Sequence, residues 1–352
     1  MAVELGPLVS EVKEPISLDD LSNRIVAVDA YNTIYQFLSI IRGPDGTPLK
    51  DSHGMVTSHL SGLFYRTINL LEHRITPVFV FDGIPPALKQ RTIEARMRRR
   101  EEAREQWEKA LKEGMVAEAR THAMASTRIN KEIVQSAKEL LDYMGIAHIQ
   151  APSEGEAQAA RMTKEGLVYA SATQDYDIFL FGADVAVRNL TISGRRKIPR
   201  KNVFVDITPE RVELKRLLES LKLDQKQLIW LGMLVGTDFN EGIDKVGPKT
   251  ALKIVRERKS LKEVVGYVKD KYGTDFEVEP EEVENVFLKP ETGEMRRGEF
   301  SAMMNGTKAN KEKIIRFMCD QHDFSQERVD KFADVLVGYK SAAGQKGIGA
   351  WV

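Results

Sequence analysis

The sequence predicts an α/β fold: a mostly parallel central sheet flanked by helices. Three observations predict it. Three short apolar runs, RIVAVD (24–29), PVFVFD (77–82) and GLVYASATQD (166–175), read as strands. They are continuously apolar rather than alternating, as strands covered on both faces are. Segments with helical periodicity separate them, and strand alternating with helix is the pattern of a parallel sheet. At 352 residues the chain is long enough for one large domain or two smaller ones with a substantial core.

Taken in order, the first run ends in Asp29 and leads into a helical pattern, NTIYQFLSII, from Asn32. A second helical pattern runs from Met55 through MVTSHLSGLFYRTINLLEHR. The second strand run ends in Asp82 and is followed by the breaker GIPP and a basic, helix-favouring stretch, 88–112. A third helical pattern starts at Asn130, and APSEGEAQAA (151–160) follows it. On their own, Ser153 and Glu156 there read as a capping box, with Glu154 favourably placed in the first turn. The third strand run ends in Asp175, with Asp177 two residues further on. Those two aspartates alone would pass for turn residues.

The combination argues for more. Parallel strands put their carboxyl ends on one sheet edge, and sites in open α/β sheets form in the crevice beyond that edge. Asp29, Asp82 and Asp175 all end strands, and the helix beginning near Ser153 would bring Glu154 and Glu156 to the same place. Clustered carboxylates repel one another unless protons or cations neutralise them. Hard oxygen donors select Mg²⁺ or Mn²⁺ over zinc.

In the basic stretch, Lys89, Arg91, Arg96, Arg98, Arg99, Arg100 and Arg104 come close together. Lys89, Arg96 and Arg100 fall near one helical face. A solvated helix laced with pairs between Arg100 or Arg104 and Glu101 or Glu105 is the ordinary reading of such a run. Here the arginines crowd the half nearest the carboxylate edge, which suits phosphate binding. Further on, WLGMLVGTDFNEGIDKVGPKTALKIV (230–255) sets two helical patterns around a glycine-rich turn. Gly247 and Pro248 stand at a helix start with Lys249 in its first turn, a helix-hairpin-helix pattern able to hold a DNA phosphate on free N–H groups. A plain αα-hairpin is the alternative. Asp238, at the end of the preceding helical pattern, is placed to join the acidic edge.

Lys+Arg and Asp+Glu each number 52, so the formal net charge is zero and any polyanion must be met by local patches. Cys319 is the single cysteine, which leaves no disulfide framework within the chain. The six histidines form no zinc-ligand spacing. No run approaches membrane-spanning length and the N-terminus lacks a signal-peptide core. These features predict a soluble intracellular protein, with no membrane partner.

These segments resemble the flap endonucleases of the XPG group of structure-specific 5′ nucleases, and most closely the archaeal members. The motifs that carry the resemblance are VDAYNTIYQFL (28–38), TSHLSGLFYRT (57–67), PVFVFDGIPPALK (77–89), APSEGEAQAA (151–160), ATQDYDIFLFGA (172–183) and GTDFNEGIDKVGPKTA (236–251). They occur in the family's order and cover most of residues 1–258. The resemblance implies an enzyme that cuts 5′-flap DNA at the single-strand/double-strand junction by two-metal phosphodiester hydrolysis. It implies 5′–3′ exonuclease activity and a part in Okazaki-fragment maturation and base excision repair. Asp29, Asp82, Glu154 and Glu156 match the carboxylates around a first Mg²⁺, and Asp175, Asp177 and Asp238 those around a second, with Mn²⁺ able to substitute. Lys89 and Arg96 match basic residues on the scissile phosphate. Tyr35 matches an aromatic that stacks on a base next to the cut, and Arg100, Gly247 and Lys249 are the further DNA contacts expected.

The implied organisation is a nuclease core in two halves, 1–101 and 131–258, with a helical arch over 102–130 through which a 5′ single strand passes. The helix-hairpin-helix lies at about 228–256. A C-terminal helical region, 259–340, and a flexible tail, 341–352, follow. The tail, QKGIGAWV, matches a sliding-clamp-binding motif at Gln345, Ile348, Trp351 and Val352. The implied partners are flap-bearing DNA and the sliding clamp, met by a protein monomeric on its own; an archaeal setting would place it in the cytoplasm and nucleoid. Two positions depart from the family: Ala2 stands where glycine is usual, and Val352 replaces the usual final aromatic, which is expected to weaken clamp affinity.

Three other classes of protein share parts of this pattern. A haloacid-dehalogenase-type phosphatase also has an aspartate after its first strand, but needs D-x-D, and position 31 is Tyr31. A non-catalytic junction binder or clamp adaptor would favour fewer negative charges than the carboxylate set supplies. A related exonuclease, or a bubble or four-way-junction nuclease, fits less well with the short connections and the clamp-like tail.

Overall fold

The computed structural model describes residues 3–43, 46–192, 194–197 and 204–345. Among the described residues there are nine strands: β1 (Glu14–Pro15), β2 (Ile25–Asp29), β3 (Thr76–Phe81), β4 (His148–Gln150), β5 (Ala170–Ala172), β6 (Val185–Arg188), β7 (Gly194–Lys197), β8 (Phe204–Ile207) and β9 (Glu210–Glu213). Seven of them form one sheet in the order β1-β9-β6-β5-β2-β3-β4, while β7 and β8 make a separate antiparallel hairpin. Strands β6, β5, β2, β3 and β4 are mutually parallel, and β9 pairs antiparallel with both β6 and β1. The expected mostly parallel sheet is therefore present.

Alternation along the strands assigns the two faces. Val26 and Val28 of β2, with Phe79 and Phe81 of β3, enter one buried cluster. Ala27, Val78 and Val80 enter the other. Side chains two residues apart share a face, so each strand feeds both layers, and a continuously apolar run is what this requires. The helices Ser58–Glu72 and Lys131–Met144 cover the first face with Leu63, Phe64, Leu140 and Leu141. The helices Gly155–Lys164 and Gln225–Val235 cover the second with Ala157, Ala160, Leu228 and Leu231. C-terminal helices extend both layers, Phe287 and Phe300 on the second and Phe317 and Leu336 on the first.

The third predicted strand is shorter than its apolar run. Only Ala170–Ala172 pairs, because the Thr173 hydroxyl accepts the Asp175 N–H at 3.2 Å and turns the chain out of the sheet. The helix expected from Asn32 begins at Ala30, since the Asp29 carboxylate caps it by accepting the Asn32 N–H at 2.9 Å. The helix expected from Met55 begins at Ser58. Asn130 does cap its helix, accepting the Ile133 N–H. No helix among the described residues is long and apolar enough to cross a membrane.

Candidate active site

Register brings the strand-terminal aspartates together. Asp29 pairs with Val80, so the chain after β3 reaches Asp82 just past the same edge, and Val28 pairs with Ala172, three residues before Asp175. Asp29, Asp82, Glu154, Glu156, Asp175, Asp177 and Asp238 all line one cavity of about 580 Å³, together with Tyr35, Lys89, Arg96 and Arg100. Strand ends, the Gly155–Lys164 helix start, the turn after β5 and the loop after the Gln225–Val235 helix each contribute. A larger groove of about 1170 Å³ adjoins it, between the basic helix and residues 235–247.

Each carboxylate is positioned by a specific contact. The Gly155 N–H donates to Asp82 Oδ1 at 2.7 Å, and the Val3 N–H to Asp177 Oδ1 at 2.6 Å. Asn32 Nδ2 donates to Asp175 Oδ2 at 3.1 Å, and the Thr173 hydroxyl to Glu156 Oε1 at 3.0 Å. The expected capping box is not formed. The helix is capped at Glu154 without a side-chain bond, because Glu156 is turned to Thr173 and the acidic cavity instead.

Two cations enter this acidic space from the basic helix, Gln90–Lys112, and the turn before it. Lys89 Nζ pairs with Glu154 and stands 3.3 Å from Asp238 Oδ2. Arg96 Nη2 lies 2.5 Å from Asp238 Oδ1. Arg100 holds its guanidinium 5.9 Å from the Tyr35 ring centroid. The pairs expected of Arg100 and Arg104 with Glu101 and Glu105 are replaced by Arg104–Glu108, one helical turn apart, and by Arg128–Glu101. The second of these ties the helix to the segment that follows its hairpin partner, Val116–Ala125; Ala110 of the one helix and Ala123 of the other are buried.

The charge balance is visible in the proton affinities. Burial pushes the Asp29 carboxyl well up, reinforced by Asp82. Burial does the same to Glu156, reinforced by Asp175 and Asp177. Asp177 is pushed up to about 7 by burial and by Asp238. Asp82, Glu154 and Asp175 are raised, again chiefly by burial. Asp238 is the exception: burial pushes it up, but Lys89 and Arg96 outweigh that and hold it below the ordinary carboxylate range. The two cations paired with cavity carboxylates, Lys89 and Arg96, thus leave most of the cluster uncompensated. An excess of oxygen donors that cannot all ionise in a buried space fits hard divalent cations. Among the described residues no three of these groups already converge on a single ion position; the Lys89 ammonium occupies the space between Glu154 and Asp238.

The glycine-rich turn also forms. The helices Gln225–Val235 and Pro248–Arg256 flank it, and Gly247 is the N-cap of the second. Gly236 has φ +107°, and a Cβ there would stand 2.9 Å from the Gly242 nitrogen, so the turn closes only on glycine. Gly247 and Lys249 are exposed. Gln345 ends the last helix, while Ala2, Ile348, Trp351 and Val352 lie outside the described residues. Sequence reasoning missed Asn32, Thr173 and Val3 as partners of the carboxylates. Only Asn32 carried a signal, standing three residues after a capping aspartate.

The fold and the acidic edge define a class, that of the XPG nucleases: the XPG N-terminal domain family matches residues 1–103 and the XPG I-region family residues 145–238. Flap endonuclease 1 of Staphylothermus marinus is 46% identical over all of this chain and 99% of its own length. That of Thermococcus onnurineus is 48% identical over the same shares. The solved flap endonuclease-1 from Methanococcus jannaschii superposes with a TM-score of 0.74 at 35% identity, covering 97% of this chain and 99% of its own. The chain belongs to the flap endonuclease 1 family. It is a nuclease, a structure-specific 5′ enzyme for flap DNA, with its place in DNA replication and repair.

Proposed function

We propose that the acidic cavity is the cleavage centre and that this chain binds branched DNA with a 5′ flap there. Asp29, Asp82, Glu154 and Glu156 hold one divalent cation, and Asp175, Asp177 and Asp238 a second, Mg²⁺ by preference with Mn²⁺ able to substitute. Bound ions of this kind lower the pKa of the attacking water and stabilise the leaving oxygen. Lys89 and Arg96, which face the cavity beside Glu154 and Asp238, are placed to neutralise charge developing on the phosphoryl oxygens. Tyr35, with Arg100 beside its ring, offers a stacking surface for a base next to the cut. The N–H groups at Gly247 and the Lys249 ammonium hold a backbone phosphate without reading sequence. The tail from Gln345 to Val352 docks on a sliding clamp, and the protein works as a monomer until it does.

The observation that carries this reading is the convergence of seven carboxylates on one sheet edge beside two cations from a single basic segment. The test is a cleavage assay comparing 5′-flap, single-stranded and four-way-junction DNA, with Mg²⁺ and with chelator. Asp82→Ala and Asp175→Ala should each abolish flap cleavage while DNA binding survives, since removing an anion does not weaken attraction to phosphate. Near-normal cleavage by either variant at saturating Mg²⁺ would sink the metal assignment.

A further inference from the structure

Asn32 touches two of the acidic groups at once. Its backbone N–H donates to Asp29 Oδ1 at 2.9 Å and its side-chain Nδ2 to Asp175 Oδ2 at 3.1 Å. Asp29 ends β2 and Asp175 follows β5, the neighbouring strand. The amide is held from behind. Gln36 Nε2 donates to Asn32 Oδ1 at 2.9 Å, and the Thr191 hydroxyl donates to Gln36 Oε1 at 3.2 Å. All three side-chain links, Thr191 to Gln36 to Asn32 to Asp175, therefore run with the same donor-to-acceptor polarity. Turning the Asn32 amide over would set its oxygen against the Asp175 carboxylate and its NH₂ against that of Gln36. The chain crosses from the turn after β6, where Thr191 is buried, through one turn of the Ala30–Ile40 helix, to the acidic edge.

We propose that Asn32 is a positioning residue that fixes the separation and orientation of Asp29 and Asp175, and that Gln36 and Thr191 lock its amide for that purpose. The inference rests on the assignment of those two aspartates to separate cations. A carboxylate that accepts a fixed N–H presents its other oxygen in one direction only, so the tie sets where each cation sits relative to the other. Partners of metal-binding carboxylates that are lost in this way weaken metal affinity by roughly 10–100-fold.

The test is Mn²⁺ binding to the free full-length protein, followed by electron paramagnetic resonance, which reads the site without turnover. Asn32→Leu keeps the side-chain bulk and removes the donor. It should weaken one Mn²⁺ by at least about tenfold. Gln36→Leu should move the same ion in the same direction by less, and the double variant should bind no more weakly than Asn32→Leu alone. An Asn32→Leu isotherm that superimposes on the parent, with Asp175→Ala losing an ion, would overturn the positioning role and leave the metal assignment standing. If Asp175→Ala also binds like the parent, the metal assignment itself fails. If Asn32→Leu does not fold, Gln36→Leu decides, and a parent-like isotherm for it overturns the proposal.

Discussion

Gly155 separates Glu154 from Glu156 for a reason that is steric. A Cβ at this position would stand 2.7 Å from Asp82 Oδ1 and 3.4 Å from the Val80 carbonyl oxygen. The bare backbone instead gives Asp82 an N–H donor at 2.7 Å. Gly155→Ala should push the Asp82 carboxylate aside, cut single-turnover cleavage by at least about tenfold and cost about 1–3 kcal/mol of stability in urea unfolding. A parent-like rate would show that the Asp82 position is not required. Asp177 supports a pH prediction. Its folded pKa of about 7 lies above the ordinary value of 3.8, so the folded state keeps a proton that the unfolded chain has already released. This contribution to stability is complete below about 3.8 and is lost as pH rises through about 7. Asp177→Asn cannot ionise, yet its amide oxygen can still accept the Val3 N–H. In chelator, its melting temperature should therefore gain on the parent's between pH 5 and pH 8, and Mg²⁺ should shrink the gap by restoring the parent. A gap independent of pH would contradict the assignment of the raised pKa to Asp177.

At the scale of elements, the phosphate contacts proposed for the basic helix and for the glycine-rich turn are of two kinds. Arg96 is half-buried and reaches the acidic cavity at Asp238, whereas Lys249 is exposed at a helix start. Arg96→Ala should lower the single-turnover rate far more than it weakens flap binding, because its contact strengthens in the transition state. Lys249→Ala should mainly weaken binding and reduce the salt slope by roughly one. The converse pattern, affinity lost at Arg96 and rate at Lys249, would exchange their roles. The elements that sequence made legible are those whose neighbours in the chain determine them. Continuous apolar runs marked β2 and β3, and the tight turn required glycine at 236 and 242. Strands β4 and β6 have only three and four residues, too few to carry a period, and exist because β3 and β5 offer them open edges. The apparent capping box failed for a similar reason. Local spacing satisfied it, but Thr173, brought up by the sheet, offered Glu156 a different partner. The acidic site was readable because strand-terminal aspartates share an edge whenever strands are parallel; its supporting bonds from Asn32, Thr173 and Val3 span long sequence distances and left almost no local pattern.

On the whole molecule, equal numbers of acidic and basic residues coexist with strong local segregation. Carboxylates concentrate in the cavity and arginines on the adjoining helix and groove. Such a protein has no bulk attraction for DNA, so its residence at a junction depends on geometry and on tethering. The proposed docking of the tail on a sliding clamp would supply tethering of this kind, raising the local concentration of enzyme at replication sites without any new contact in the acidic cavity. The last helix ends at Gln345, and the motif residues Ile348, Trp351 and Val352 follow directly in sequence. A short segment that orders on binding gives up conformational entropy, so a buried aromatic anchor should dominate its affinity. Trp351→Ala should therefore abolish clamp stimulation and leave clamp-independent flap cleavage unchanged, since the tail lies far along the chain from every carboxylate of the cavity. Val352→Phe should tighten binding by adding a second ring. Calorimetric titration of the sliding clamp with the full chain and with a chain ending at Gly344 decides the matter: the truncated chain should bind at least about tenfold more weakly, a difference of about 1.4 kcal/mol, and equal affinities would place the clamp anchor elsewhere on the protein.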